Sequence, residues 1–403
     1  MSETFSPTDR LTVVKVGGSL LAGPADLRKA ASAIAEKRRG EGALLVVASA
    51  LKGVTDLLDL AASQALDRTQ NGHLGETLDD LRQRHLDASR EIADNGAAVT
   101  RIDEALGEVA TLVRGIRATG ELPDATYARL LSSGERLSAV LLASAIQAAG
   151  PEAQPVTAEA AGLRATGPAR AGVCDIPASA AGFQWMRRHL CARILVLTGF
   201  YGIDRDGEVV LFGRGGSDDT ACAVAAGLDA GRLELWKDVP GLMSADPHEV
   251  EGARVIPEVS FDEVAQLGAY GSRVVHHGCL EPLRGRPIEI CISSVPETAS
   301  SCGTRLVERL HRDTAQVVAL ASRRCSPALI GLVGDGVAGD PEIRSRMLSC
   351  LTAAGARGEL VAQPSGRSGL SCTVHPDDLV PVLSGLHESF FPSSFPSSGR
   401  PQS

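Results

Sequence analysis

The stretch Gly213-Arg214-Gly215-Gly216-Ser217-Asp218-Asp219-Thr220-Ala221 decides how this chain reads. The apolar run Ile194–Leu197 upstream has the character of a buried strand, and the Ala-rich residues down to Asp229 have that of a helix. Glycines let backbone N–H groups come close to a ligand, and a helix starting there turns its positive end toward the same point, which suits an anion. Arg214 adds a planar fork matched to a carboxylate or phosphate. Asp218 places a carboxylate where a metal-bound phosphate would sit. A short Gly-rich run also fits an ordinary turn, because such patterns recur by chance, so the decision rests on what surrounds it.

Working outward, strands and helices alternate. Leu11–Val16 reads as a strand ending in Gly17-Gly18-Ser19, followed by a helix over Pro24–Lys37. Ala43–Val47 is a second buried strand, and a helix runs from Thr55 to Gln70. This order predicts an α/β fold with a mainly parallel central sheet sandwiched by helices. Residues Thr77–Arg117 read as an antiparallel pair of amphipathic helices laid over the sheet. A helix over Leu130–Gly150 carries Gly134-Glu135-Arg136, and further strands lie near Glu208–Phe212, Arg232–Trp236 and Ile288–Ile292. Ser293–Thr304, rich in Ser, Pro, Thr and Gly, reads as a boundary. Beyond it, strands at Val317–Leu320 and Ala328–Val333, a helix over Pro341–Gly355, strands at Gly358–Gln363 and Gly369–Val374, and a helix over Pro376–Phe390 form a small α+β unit, close to a β-α-β-β-α-β order with one element shifted. Residues 1–10 are expected to be flexible and the Pro/Ser-rich 392–403 to be a disordered tail.

Composition narrows the function classes. A chain of 403 residues suggests two or three domains, and 44% apolar with 22% charged residues is ordinary for a globular protein. The net charge of -9 leaves no basic footprint for nucleic acid. Apolar runs fall short of membrane-spanning length, and the polar start, Met1–Arg10, lacks a signal peptide's apolar core. The nine cysteines contain no C-x-x-C pair, which predicts reduced thiols in a cytoplasm and argues against a zinc site.

Five separated motifs together resemble the aspartate kinases of the amino-acid kinase superfamily. They are Lys15-Val16-Gly17-Gly18-Ser19, Ser49-Ala50-Leu51-Lys52-Gly53-Val54-Thr55, Ser133-Gly134-Glu135-Arg136-Leu137-Ser138, the Gly213–Ala221 run, and Lys237-Asp238-Val239-Pro240-Gly241-Leu242-Met243-Ser244-Ala245-Asp246-Pro247. Gly271-Ser272-Arg273-Val274-Val275-His276 is similar to a sixth. The resemblance implies an amino-acid kinase fold over 11–297, a linker at 298–314 and one ferredoxin-like ACT domain at 315–391, opened by Gly334-Asp335-Gly336-Val337-Ala338. It also implies transfer of the γ-phosphoryl of ATP to the β-carboxylate of L-aspartate, with Mg2+, as a first step of aspartate-family amino-acid biosynthesis or a dedicated branch of it. The acceptor is already ionised at neutral pH, so the task is to bring two anions together rather than to remove a proton.

By the same resemblance, Lys15 and Asp218 are catalytic, Asp218 meeting Mg2+ directly or through water. Ser49, Thr55, Glu135, Phe200, Arg214 and Gly215 would bind substrate, with Arg214 on the α-carboxylate and Glu135 on the α-ammonium. Lys15, Gly17, Gly18, Ser19, Lys237, Asp238, Met243, His248 and Arg273 would line the nucleotide. Plainer readings stand beside these. Lys15 can be a snorkelling strand-edge lysine, Glu135 a carboxylate at a helix N-terminus, Thr55 a helix cap and Phe200 a core residue. Lys237, Met243, His248 and Arg273 depart from the residues usual at those positions. A single ACT domain per chain implies pairing with a second subunit, hence a homodimer, and leaves an amino-acid effector there as an expectation. Two alternatives remain: a kinase of this fold acting on another carboxylate, phosphonate or carbamate, and a non-catalytic amino-acid sensor.

Overall fold

The computed structural model describes residues 11–40, 42–67, 71–92, 96–272, 274–275, 277–296, 302–310, 314–361 and 368–392. The flexible start and nearly all of the tail expected from the sequence, part of the 298–314 linker, and Arg273 lie outside them. In chain order the elements are β1 (Thr12–Val16), α1 (Pro24–Gly40), β2 (Leu44–Ala48), α2 (Val54–Leu66), α3 (Asn71–Ile92), α4 (Gly96–Thr119), α5 (Asp124–Ala148), β3 (Ala153–Val156), β4 (Ala165–Thr166), β5 (Val173–Cys174), α6 (Ala180–Leu190), β6 (Ile194–Thr198), β7 (Tyr201–Ile203), β8 (Val209–Leu211), α7 (Gly216–Gly227), β9 (Arg232–Trp236), β10 (Glu258–Ser260), α8 (Phe261–Tyr270), β11 (Glu289–Ser293), β12 (Thr304–Val307), β13 (Ala319–Arg323), β14 (Ala328–Val333), α9 (Pro341–Ala353), β15 (Gly358–Val361), β16 (Gly369–Val374) and α10 (Leu379–Phe390). Contacts divide the chain into two units, Met1–Val239 with Gly278–Cys302, and Pro240–His277 with Gly303–Ser403.

In the first unit the strands run in the order β11-β9-β1-β2-β6-β3, and every neighbouring pair is parallel. β1, β2 and β6 are buried along their whole length, as expected of strands covered on both faces, which read as continuous apolar runs rather than alternating ones. α5 packs on β2, β6 and β3 and beside α1, while α7 packs on β1, β2 and β9 and beside α6. The expected helical pair exists as α3 and α4, but it packs on α2 and α5. It is a layer over helices rather than over strands, because α5, rich in Ala and Leu, is buried along most of its length and already covers that face.

The second unit contains the parallel pair β10–β12 and a separate sheet ordered β13-β14-β16-β15, antiparallel throughout. That is a ferredoxin-like arrangement in which the outer strand, β13, comes first in the chain instead of last, which explains the shifted element in the sequence pattern. Two features go beyond the sequence reading. The stretch read as a linker, 298–314, contains a strand, β12. Residues 240–277, assigned from the sequence to the kinase part, cluster with the C-terminal residues, because Ala245 and Val250 belong to the same buried core as Leu320, Ile330, Met347 and Leu386. The cysteines also differ from expectation. Cys291 on β11 is disulfide-bonded to Cys302, with Cα atoms 5.8 Å apart, while Cys174, Cys191, Cys222, Cys279, Cys325, Cys350 and Cys372 are free. Spacing in the sequence does not reveal such a pair, since strand β11 carries Cys291 to a partner 11 residues away.

Candidate active site

The parallel strands deliver the charged groups at their C-terminal ends, the ligand-binding edge of such sheets. Lys15 lies on β1, within an apolar strand, and is almost wholly buried. Its Nζ is 2.9 Å from Asp218 Oδ1. Asp218 lies in the first turn of α7, and its Oδ2 accepts from Lys237 Nζ at 2.5 Å. Lys237 follows β9 directly, so the three groups come from one edge of the sheet. Burial pulls the Lys15 ammonium below its ordinary pKa, with Asp218 opposing and Lys237 adding to the fall. Burial alone would raise the Asp218 carboxyl, but Lys15 and Lys237 outweigh it, and the group sits below its usual range.

Around this cluster the backbone comes close. Gly17 N–H donates to the Trp236 carbonyl at 3.1 Å. Trp236 is itself held by its indole N–H on Glu234, 2.9 Å away, and Glu234 pairs with the buried Lys37 at 2.8 Å. A Cβ on Gly18 would meet the Ala50 carbonyl oxygen at 2.7 Å, so only glycine fits there. Gly215 caps α7 with φ +82°, a left-handed conformation that L side chains rarely adopt. Arg214, just before it, is exposed, and no carboxylate among the described residues pairs with it.

Glu135 is in the middle of α5, not at a helix start. Its Oε1 accepts the Ala50 N–H at 3.2 Å, and its Oε2 is buried without a partner. Burial pushes its carboxyl up to about 8, against the opposing pull of the Ala50 N–H and Lys15. The Ala50 contact ties the helix motif to the second motif at the end of β2, and Gly134 makes the approach possible: a Cβ there would lie 2.9 Å from the Ala50 Cβ. Ser49 is buried. Thr55 is the second residue of α2, whose cap is Gly53 rather than a side chain, so the capping reading of Thr55 fails and its hydroxyl is left for another role. Phe200 has φ +75°, a strained value for an aromatic residue and of the kind that clusters at functional sites. Its N–H is held by Thr220 Oγ1 at 3.0 Å.

The structure thus gathers Lys15, Gly17, Asp218 and Lys237 at one point and links Gly18, Ser49 and Glu135 through Ala50. Ser19 is half-buried beside Gly17, and Asp238 is exposed. Met243 and His248 belong to the second unit, where Met243 bridges to Val255 and the N–H of the exposed His248 donates to Asp246 Oδ1 at 2.9 Å. Sequence reading gave no role to Ala50 and Thr220, although both lie in its motifs, or to Trp236, because all three act through backbone groups or a hydroxyl. It also overlooked Asp219, whose carboxyl is pushed up to about 7 by burial and by Asp218.

Residues 10–294 match the model of the Amino acid kinase family. The chain belongs to that family. Among curated relatives, the chain is 27% identical over 372 residues to the bifunctional aspartokinase/homoserine dehydrogenase of Haemophilus influenzae, covering 90% of this chain and 44% of that protein. It is 30% identical to an aspartokinase of Mycolicibacterium smegmatis, covering 80% and 64%, and 31% identical to aspartokinase 2 of Bacillus subtilis, covering 57% and 56%. The chain therefore spans between 44% and 64% of the length of these three relatives. Its fold is similar to that of E. coli aspartokinase III solved with aspartate and ADP, with a TM-score of 0.82 at 21% identity, covering 94% of this chain and 100% of that one. Among the described residues no helix is long and apolar enough to cross a membrane.

Proposed function

We propose that this amino acid kinase is an ATP-dependent aspartate kinase, forming 4-phospho-L-aspartate from the β-carboxylate of L-aspartate. One observation carries the choice of acceptor: Glu135 Oε2, buried and unpartnered, in a unit that also holds the unpaired Arg214. A zwitterionic amino acid needs an anion for its ammonium and a cation for its carboxylate, and these two groups meet that need. The relatives named aspartokinase, and the E. coli structure with aspartate and ADP, support the same reading. A kinase for a plain carboxylate or phosphonate would have no use for the Glu135 oxygen.

In this reading Lys15 and Lys237 bracket the transferring phosphoryl group. Asp218 holds both side chains in place, so that they cancel charge as it spreads over the phosphoryl oxygens. The ground-state pairing with Asp218 also prevents two ammoniums from repelling each other in a buried place. Gly17 and Gly18 allow phosphate to approach the backbone, and Ser49 and Thr55 offer hydroxyls on the acceptor side. Asp218 already gives both oxygens to ammonium groups, and no three His, Cys, Asp or Glu converge among the described residues. Mg2+ would therefore arrive with the nucleotide phosphates, where it supplies charge neutralisation, and would not be held in a protein cage. Lys237, Asp238, Met243, His248 and Arg273 form the nucleotide side.

The four-stranded sheet with α9 and α10 is read as one ACT domain spanning 315–391. Its end strand β15 leaves Val361 exposed and would join a second subunit in a homodimer, with an amino-acid effector bound there. A cytoplasmic enzyme of amino-acid biosynthesis fits this reading. The test is ADP release with ATP, Mg2+ and aspartate, together with hydroxamate formation when hydroxylamine is added. Aspartate-dependent turnover is expected; folded protein that consumes no ATP with aspartate but does so with another acceptor overturns the assignment.

A further inference from the structure

The segment after Lys237-Asp238 forms a closed loop inside the second unit. Ile256 N–H donates to the Leu242 carbonyl at 2.8 Å, and Ser244 N–H donates to the Arg254 carbonyl at 2.8 Å. Leu242 N–H is held by Thr304 Oγ1, also at 2.8 Å. The loop has two sides. Met243 is half-buried and Asp246, Pro247 and His248 are exposed, whereas Ser244, Ala245 and Val250 are buried. The buried side faces the small sheet and its last helix. Leu320 N–H of β13 donates to the Ser244 carbonyl at 2.7 Å. Glu249 accepts from Ser322 Oγ at 2.7 Å and from Arg324 Nε at 2.9 Å.

At the centre of this contact Ser244 Oγ lies 2.9 Å from Nε2 of His387 on α10. The same oxygen accepts the Arg254 N–H at 3.0 Å, which leaves the hydroxyl proton for the imidazole. His387 is buried, stacks on Phe391 with ring centroids 4.8 Å apart, and has Gly252 against its Nδ1 edge. Burial, and then Arg254, holds its pKa below the ordinary value against the pull of Glu388, consistent with a neutral ring that accepts a hydrogen bond. A buried, satisfied hydrogen-bonded pair fixes one geometry where apolar groups alone would tolerate several.

We propose that His387 is a positioning residue for the nucleotide: through Ser244 it sets the loop that carries Met243 and His248. This rests on the reading of Met243 and His248 as nucleotide-side residues. The hydrogen bond between the loop and α10 spans 143 residues of chain, so no local preference keeps the loop in place.

The test is titration calorimetry of the full chain with ADP, alongside steady-state kinetics, for His387→Phe, His387→Gln and Ser244→Ala. The Phe variant keeps the stack on Phe391 and loses the nitrogen. ADP affinity and the KM for ATP are expected to worsen roughly tenfold in His387→Phe and Ser244→Ala, the size of one lost buried hydrogen bond. The KM for aspartate stays within about twofold. Glutamine restores most of the loss, and the Ser244→Ala/His387→Phe double variant is no worse than the poorer single one. Wild-type ADP affinity in a folded variant, or equal losses for ADP and aspartate, overturns the proposal. If His387→Phe does not fold, Ser244→Ala decides by the same criteria. Wild-type protein that binds ADP but leaves aspartate unphosphorylated sinks the assigned activity, while the ADP titrations still test the role of His387.

Discussion

Asp218 and Glu135 belong to the same unit, are 4% and 3% exposed, and settle into opposite charge states. Burial costs both carboxylates their hydration. Asp218 is repaid by two ammoniums and stays ionised. Glu135 has one backbone N–H and an orphaned oxygen, and it holds its proton up to about pH 8. The difference shows that burial alone does not decide charge; the partners within hydrogen-bond reach do. It also separates the two ends of the site. The Lys15–Asp218–Lys237 end, proposed to hold the phosphoryl group, is already paired in the free protein, and the Glu135 end, proposed to hold the amino acid, keeps an oxygen without a partner among the described residues.

The sharpest way to break this comparison is at the phosphoryl end. Lys15→Ala should lower kcat by ~10²–10³, with the KM for aspartate little changed, as measured by ADP release. A comparable rise in the aspartate KM would mean that the two ends are not separable. At the other end, Arg214→Ala should raise the KM for aspartate by roughly 30-fold or more, the usual loss on truncating one partner of a charged pair, with the KM for ATP nearly unmoved. Lys237→Thr should have a milder effect, about tenfold on kcat, because Lys15 still occupies the other oxygen of Asp218; a loss as large as that of Lys15→Ala would show that the two ammoniums act as one unit.

The smallest effect is on stability against pH. Folded Glu135 keeps its proton to about pH 8, while an unperturbed carboxyl releases it near 4.5. Between those values the folded state binds more protons, so its contribution is full on the acid side and is lost as pH rises through about 8. The stability of the free protein should therefore fall across that window by at most about 1.4 kcal/mol per pH unit, read as a falling melting temperature. Glu135→Gln should flatten the profile, and a wild-type slope retained in the variant would assign the titration to another group. Aspartate binding at neutral pH should release up to one proton, read as a dependence of the calorimetric heat on buffer ionisation enthalpy.

Much of the site was legible because its residues sit in short runs whose local physics is strong. Lys15 stands before a glycine pair at a strand end, and Arg214 and Asp218 flank a glycine-capped helix start. Glu135 was legible only as a motif member. Read by itself it suggested a helix N-terminus, and the structure places it mid-helix, where the dipole does nothing for it and Ala50 does. The pairing of Lys237 with Asp218 was hidden, since the two are separated by α7 and β9. Residues 240–277 lie inside the family match at 10–294 yet cluster by contacts with the C-terminal residues, because the run of motif continues through Pro240 while the packing changes partner there.

The amino-acid sequence alone determined the alternation of strands and helices, the glycines that let the backbone come close and the identity of the charged groups, because strand and helix periods and glycine's freedom act over a few residues. Tertiary structure decided which carboxylate stays charged, which cysteines pair, and which module holds the loop after Lys237. Those outcomes depend on groups brought together from distant parts of the chain, where burial and partner distance, not local preference, set the free energy.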